Sequence, residues 1–357
     1  MSDQVLPIGK VPAAVLRRLL EDAAPLPPEV LVGPAIGEDA CAIEVGPGVL
    51  VAASDPITLT GAGLGRAVVT VNANDVAVTG VRPRWFLATV LLPAGTVESE
   101  LERLFEDMRR ALSALGAVLV GGHTEVTAAV SAPVVVGQML GLASGGRIVR
   151  TGGVRPGDAI VQVGRAPIEG AAVLALEHAA ALASAPRASV QAAAAALEDP
   201  GISVVEAAIA AAELGATAMH DPTEGGLAAA LWELASAAQV ALRIDRDRIA
   251  WFPPGLDVCR AAGADPWATL ASGTLLAAFP QPAAGDAVDR LTAGGHDAVI
   301  IGAAEPGEGV RDTVGSPIPW PDRDEVARLL AGGPLRNRSA ASRSSRHRRG
   351  GRPRSRP

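Results

Sequence analysis

The sequence predicts an α/β (α+β) fold of two domains followed by a basic tail, and three observations carry that expectation. The first is length, because 357 residues exceed what one hydrophobic core ordinarily holds. The second is composition: 49% hydrophobic and 19% charged residues exclude a wholly disordered chain, and the many alanines with scattered glycine and proline suit mixed helix and strand. The third is a change of texture near Thr151, where apolar strands give way to a unit rich in alanine helices. The expected domains are therefore 1–150, 151–332 and a disordered tail over 333–357.

Taken in order, residues 11–20 (VPAAVLRRLL) read as an amphipathic helix. GEDACAIEVG and VLVAASDPIT read as two strands joined around Gly46–Gly48. Apolar residues at helical spacing (Ala67, Val68, Val71, Val76) predict a helix between Gly65 and Gly80 that carries Asn72, Asn74 and Asp75. A strand, WFLATVLLP, precedes a helix from about Val97 to Leu115 that opens with glutamates, as a helix N-terminus favours. AVLVGG and PVVVGQMLGLA are two further strands, separated by His123-Thr124-Glu125. The apolar strands WFLATVLLP and PVVVGQMLGLA would leave a costly sheet edge in a monomer, so a symmetric dimer pairing them is expected. After Thr151 come a glycine-punctuated strand, helices near 170–183, 189–197 and 203–214, and the turn HDPTEGG feeding another helix. Strands near 240–244, 274–279 and 298–301 and a short helix at 323–330 complete the second unit.

Charge is unevenly spread. From Arg336 onward there are nine arginines and no acid. Removing those nine from the 31 basic residues leaves 22 against 38 acids, and so acidic a body is a poor nucleic-acid binder. Any nucleic-acid contact is expected to be weak and confined to the tail, which lacks the apolar surface to fold. No apolar run reaches membrane-spanning length and none follows a basic N-terminal segment. A cytoplasmic protein with no membrane partner is expected.

Five short polar islands interrupt apolar sequence: Gly37-Glu38-Asp39, Ser54-Asp55, Asn72-Ala73-Asn74-Asp75, Gly121-Gly122-His123-Thr124-Glu125 and His220-Asp221-Pro222-Thr223-Glu224-Gly225-Gly226. Carboxylates arriving from separate elements suit magnesium, which takes few of them and completes its shell with water and phosphate. Neighbouring glycines admit phosphate to backbone N–H groups, and a helix N-terminus after Gly226 adds a favourable dipole. Singly, each island reads as readily as a cap or a turn. The sequence has neither a GxxxxGK[ST] loop nor a strand–GxGxxG–helix unit. Cys41 and Cys259, the only cysteines, exclude a disulfide scaffold and, with the five histidines, lack paired zinc spacing. Cys259 reads as a small buried residue. Lys10 is the sole lysine, a compact ammonium suited to phosphate or an ordinary surface residue.

In this order, GEDACA, SDP, NANDVAVTGVRPRWF, GGHTEV and HDPTEGGLAAALWELA resemble the motif series of the aminoimidazole-ribonucleotide (AIR) synthetase-related, PurM-like superfamily. The resemblance is strongest to its HypE-like hydrogenase-maturation branch and covers about Gly9 to Leu330. It implies an N-terminal half that dimerises through its sheet, a C-terminal α/β half, and ATP with Mg2+ in the cleft between them. By the same resemblance Asp39, Asp55, Asp75 and Asp221 fall where relatives hold metal. Asn72, Gly121, Gly122, Thr124, Gly225 and Gly226 fall at the nucleotide, and Lys10 and His123 at the phosphates as catalytic groups. Two departures stand out. GGHTEV replaces the GGDTKV of HypE, and the last cysteine is Cys259, whereas the HypE branch carries its carbamoylated thiol at the C-terminus. The expected function is an Mg-ATP-dependent homodimeric enzyme that phosphorylates a small molecule or dehydrates it or a carbamoyl-type group. The alternative is a non-catalytic nucleotide-binding partner of a maturation complex.

Overall fold

In the computed structural model, residues 28–32, 40–57 and 63–331 are described. Lys10, Asp39, the helix expected over 11–20 and the basic tail lie outside the described residues. Strand alternation builds a first six-stranded sheet from β1 (Val30–Val32), β2 (Cys41–Val45), β3 (Gly48–Ile57), β4 (Pro83–Pro93), β5 (Val118–Thr127) and β6 (Val134–Ala143). Their spatial order is β1-β2-β3-β6-β4-β5. Along β4, Phe86, Ala88, Val90 and Leu92 are buried while the residues between them are half-buried, the period of two that places one face on a core.

The buried face is covered by helices. α1 (Leu64–Ala77) lies on β3 and β6, and α2 (Glu98–Leu115) packs against α1 and β5. α2 is amphipathic, with Leu104, Met108 and Leu112 inward and Glu98 and Glu100 in its first turn. α1 is different: Gly65 and every residue from Val68 to Ala77 are buried, so its polar residues need partners inside the protein.

The second sheet contains β7 (Asp158–Val163), β8 (Ala218–His220), β9 (Ala241–Ile244), β10 (Leu275–Pro280), β11 (Ala298–Glu305) and β12 (Gly309–Asp312), ordered β12-β9-β11-β7-β10-β8. Around it lie α3 (Glu169–Glu177), α4 (Arg187–Ala195), α5 (Val205–Glu213), α6 (Gly226–Ala238), α7 (Pro253–Ala262), α8 (Gln281–Ala293) and α9 (Glu325–Ala331). The mixed α/β architecture is the one the sequence predicts.

Three local expectations are corrected. His123-Thr124-Glu125 does not separate two strands but continues β5 to Thr127. The segment at Thr151–Gly153 is a 3-10 turn, and its strand starts only at Asp158. The apolar strands expected at a free edge, β4 and β6, lie inside the sheet, whose edges are β1 and β5.

One core runs through both sheets' layers: Val68, Ala73 and Val76 of α1 share a cluster with Ala208, Ile209 and Ala211 of α5. Asn74 locks that junction. Its amide nitrogen donates to the Ile202 carbonyl at 2.9 Å, and its oxygen accepts the Val204 N–H at 2.9 Å. Both bonds are buried, so truncation strands two backbone groups away from water. Asn74→Ala is expected to lower unfolding free energy by about 2–4 kcal/mol in urea titration. An unchanged midpoint would show that the clamp carries no net stability.

Candidate functional site

Asn72 joins two of the polar islands. Its Oδ1 accepts the Asp55 N–H at 2.8 Å, and its Nδ2 donates to the Asp55 carbonyl at 3.2 Å and to the Val68 carbonyl at 2.8 Å. All of the amide's principal bonds are therefore used inside the protein. Asn72 is a buried peg holding β3 to α1, with Asp75 one helical turn further on. The peg fits because β6 offers no side chain there: a Cβ on Gly137 would lie 2.4 Å from Asn72 Nδ2.

The sheet continues that row outward. Asp55 pairs with Gly137, Gly137 with Ala88, and Ala88 with Gly122 of β5. Asp55 and Gly122 thus sit on one row, three strand spacings or about 14 Å apart. Alternation places Thr124, paired with Val90, on the face that α1 covers, and His123, paired with Thr89, on the opposite face. His123 Nε2 lies 3.3 Å from Glu125 Oε2, and both side chains are exposed.

The fifth island turns between β8 and α6. His220 Nε2 is 2.8 Å from Glu233 Oε2, with both groups buried. Asp221 is buried at 1% exposure. Gly225, which has no side chain of its own, is the N-cap of α6. Gly226 has φ of 62°, and a Cβ on it would lie 2.6 Å from the Thr269 carbonyl oxygen, so glycine alone suits this turn. Asp324 Oδ2 accepts the Gly225 N–H at 2.9 Å while its Oδ1 accepts Val326 N–H at 2.8 Å, tying the loop to α9.

A backbone path connects this loop to α1. Asn74 grips Ile202 and Val204, Gly273 lies against Ile202, and Ala271 N–H donates to the Thr223 carbonyl at 3.3 Å. Three islands, those of Asp55, Asp75 and Asp221, are thereby held by one connected set of contacts. The fourth, on β5, lies at the sheet edge.

One acidic residue here is unmarked by any island. Glu169 opens α3 and is buried. Burial pushes its carboxyl up to about 7, against a hydrogen bond from Ser272 and with help from the charges of Glu224 and Asp324. Burial also raises Asp324, despite its backbone hydrogen bonds. Burial pushes the Cys259 thiol up to about 11, which keeps it a neutral, unreactive thiol.

Residues 37–143 match the family model "AIR synthase related protein, N-terminal domain", and residues 155–315 match its C-terminal counterpart. The chain is 32% identical over 253 residues to the carbamoyl dehydratase HypE of Rhodobacter capsulatus, covering 70% of this chain and 72% of that protein. The chain belongs to the AIR synthase related, PurM-like family, in its HypE-like branch. The fold agrees. A solved HypE in complex with ATP superposes with a TM-score of 0.67 at 22% identity, covering 87% of this chain and 91% of that one. HypE in a HypE–HypF complex gives 0.68 at 19% identity, covering 87% and 99%.

Within this PurM-like chain, among the described residues no three His, Cys, Asp or Glu side chains gather to hold a metal ion. Asp55 lies on β3, Asp75 on α1 and Asp221 in the turn between β8 and α6. Sequence reasoning missed Glu169, Glu233 and Asp324. Glu169 and Glu233 are each a single acid inside apolar helical sequence (IEGAAVLAL, ALWELASAA), and that isolation was the available signal; Asp324 stands among charged neighbours just before α9 (PDRDEV) and gave none.

Glu169 makes stability depend on pH. Its folded value of about 7 lies above the ordinary 4.5, so the folded state binds the extra proton between those values. The stability Glu169 contributes is intact below about pH 4.5 and is lost as pH rises to about 7, by about 3 kcal/mol at most. Glu169→Gln is expected to raise the melting temperature at pH 8 relative to wild type and to flatten its pH dependence over that window. Parallel melting curves for the two proteins would contradict the buried carboxyl.

Proposed function

We propose that this protein is a magnesium-ATP-dependent homodimeric enzyme that phosphorylates, or dehydrates at the expense of ATP, a small molecule or carbamoyl-type group. The observation that carries the reading is the Asn72 peg, which fixes the Asp55 and Asp75 islands together in a chain of the HypE-like branch. Relatives support it by name, as carbamoyl dehydratases, and one solved HypE holds ATP.

In this reading Asp55, Asp75 and Asp221, with Asp39, hold magnesium. Bound ATP supplies an activating phosphoryl group that turns a poor leaving oxygen into a good one. The chain's own residues position and screen it. Gly225 and Gly226 present the N-terminus of α6, where the helix dipole and N–H groups favour phosphate oxygens. The charge of Glu224 raises the proton affinity of Glu169 and Asp324 beyond what burial does, and a bound cation relieves that crowding. Glu169 can hold or release a proton near neutral pH. Asn72, Gly121, Gly122 and Thr124 line the nucleotide, with Lys10 and His123 as the catalytic groups at the phosphates. Cys259 is too buried and too weakly acidic to act as acceptor, so the acceptor is assigned to a separate molecule.

The face of the first sheet opposite α1 supports the dimer. Leu87 and Leu91 of β4 and Val136 and Leu140 of β6 are half-buried on the face opposite α1. Next to them, edge strand β5 exposes Val118 and Val120. Pairing two such faces would bury the apolar surface and bring His123 of each copy into the interface. The HypE–HypF complex supports a maturation-complex partner as well. No helix among the described residues is long and apolar enough to cross a membrane, and a cytoplasmic location is proposed.

Asp75→Asn and Asp221→Asn test the enzyme directly. Each keeps size and removes one charge, so ATP turnover should fall by roughly a hundredfold, on the order of 2–4 kcal/mol of transition-state stabilisation. Melting temperature should change little, and light scattering should report a dimer in all three proteins. Unchanged turnover in both variants would favour the non-catalytic partner, and a wild-type monomer would remove the shared interface.

A further inference from the structure

The segment that passes from the first sheet to the second forms one wall of a cavity of about 270 Å³. Arg147, Arg150 and Arg155 line it together with Gly153, Gly215 and Thr217, and no carboxylate does. Among the described residues, none of the three guanidinium groups pairs with an acid; Arg150 donates instead to the Leu31 carbonyl of β1. The neighbouring Asp158 is buried, and its Oδ2 is already engaged by the Arg155 N–H at 2.9 Å and the Thr217 hydroxyl at 2.8 Å. Three uncompensated positive charges around one cavity are out of place on a body with 22 basic and 38 acidic residues outside its tail. Such a local field concentrates small anions.

The donors are of one kind. Guanidinium forks match the paired oxygens of a phosphate and bind it through two hydrogen bonds at once. The cavity is also separate from the nucleotide region. Thr217 immediately precedes β8 and Asp221 follows it, and four residues of extended chain span about 13 Å.

We propose that this cavity is a second anion site, which takes a phosphate group either free or carried as a phosphomonoester. An anion there would bridge the three arginines of the connecting segment and, through Arg150, brace β1 against the second unit. Its occupancy requires neither ATP nor magnesium, so it stands apart from the proposed function.

The test is calorimetric titration of inorganic phosphate, and separately of glycerol 3-phosphate, in EDTA with chloride matched for ionic strength. Wild type and Asp221→Asn should bind alike, and Arg147→Gln/Arg155→Gln should bind at least tenfold more weakly. Tighter binding of glycerol 3-phosphate would assign a phosphomonoester, and equal binding the phosphate group alone. No heat from either titrant, unchanged affinity in the double variant, or loss in Asp221→Asn would each overturn the site. Should the double variant not fold, Arg147→Gln alone carries the same comparison, since this exposed side chain makes no hydrogen bond among the described residues.

Discussion

Two buried amides on one helix set the geometry of everything else. Asn72 and Asn74 are fully buried in a helix with almost no solvent-facing side, so each must find polar partners in the interior. Asn72 finds them in the backbone of β3 and in its own helix, and Asn74 in the backbone entering α5. The pair therefore fixes helix to sheet on one side and the first unit to the second on the other. A hydrophobic contact could slide; these bonds admit one register. Asp75 follows directly on the same helix and is likewise buried.

The same logic explains where charge accumulates. The proposed site for a polyanion with its metal would need hard oxygen donors that stay apart when the metal is absent. Here the carboxylates come from a strand, a helix and a turn, not from one loop. Where carboxylates crowd, burial and the nearby charge of Glu224 raise the proton affinity of Glu169 and Asp324. On the far end of β8 the sign reverses, with three arginines and no lining acid. Charge of opposite sign at the two ends of one short strand would keep the proposed metal–phosphate site and the proposed anion site from competing.

Much of this was legible in the residues. Helix α1, the β2–β3 hairpin and α2 follow from apolar spacing and turn residues that agree with their tertiary setting. The motif order identified the family before any coordinates. What escaped was what local pattern does not encode. β8 and β12 have three and four residues, too few to show a period. α7 opens with two prolines and α8 with Gln-Pro, which read as loop although proline is well placed in a first helical turn. His123-Thr124-Glu125 resembled a loop because it is polar, yet an exposed edge strand tolerates polar residues on both faces. The structural roles of Asn72 and Asn74 were hidden for a related reason: nothing in a polar island tells which amides bond to buried backbone, as these two do, and only long-range geometry shows it.

The central claim is that α1 and the loop at 221–226 together form a magnesium-dependent nucleotide site. Calorimetric titration of ATP into the full chain, with magnesium and then with excess EDTA, tests it most directly. The account predicts saturable heat and a raised melting temperature in magnesium, as a ligand of the native state must give, and loss of both in EDTA. Absence of heat and of thermal shift at saturating MgATP would contradict it.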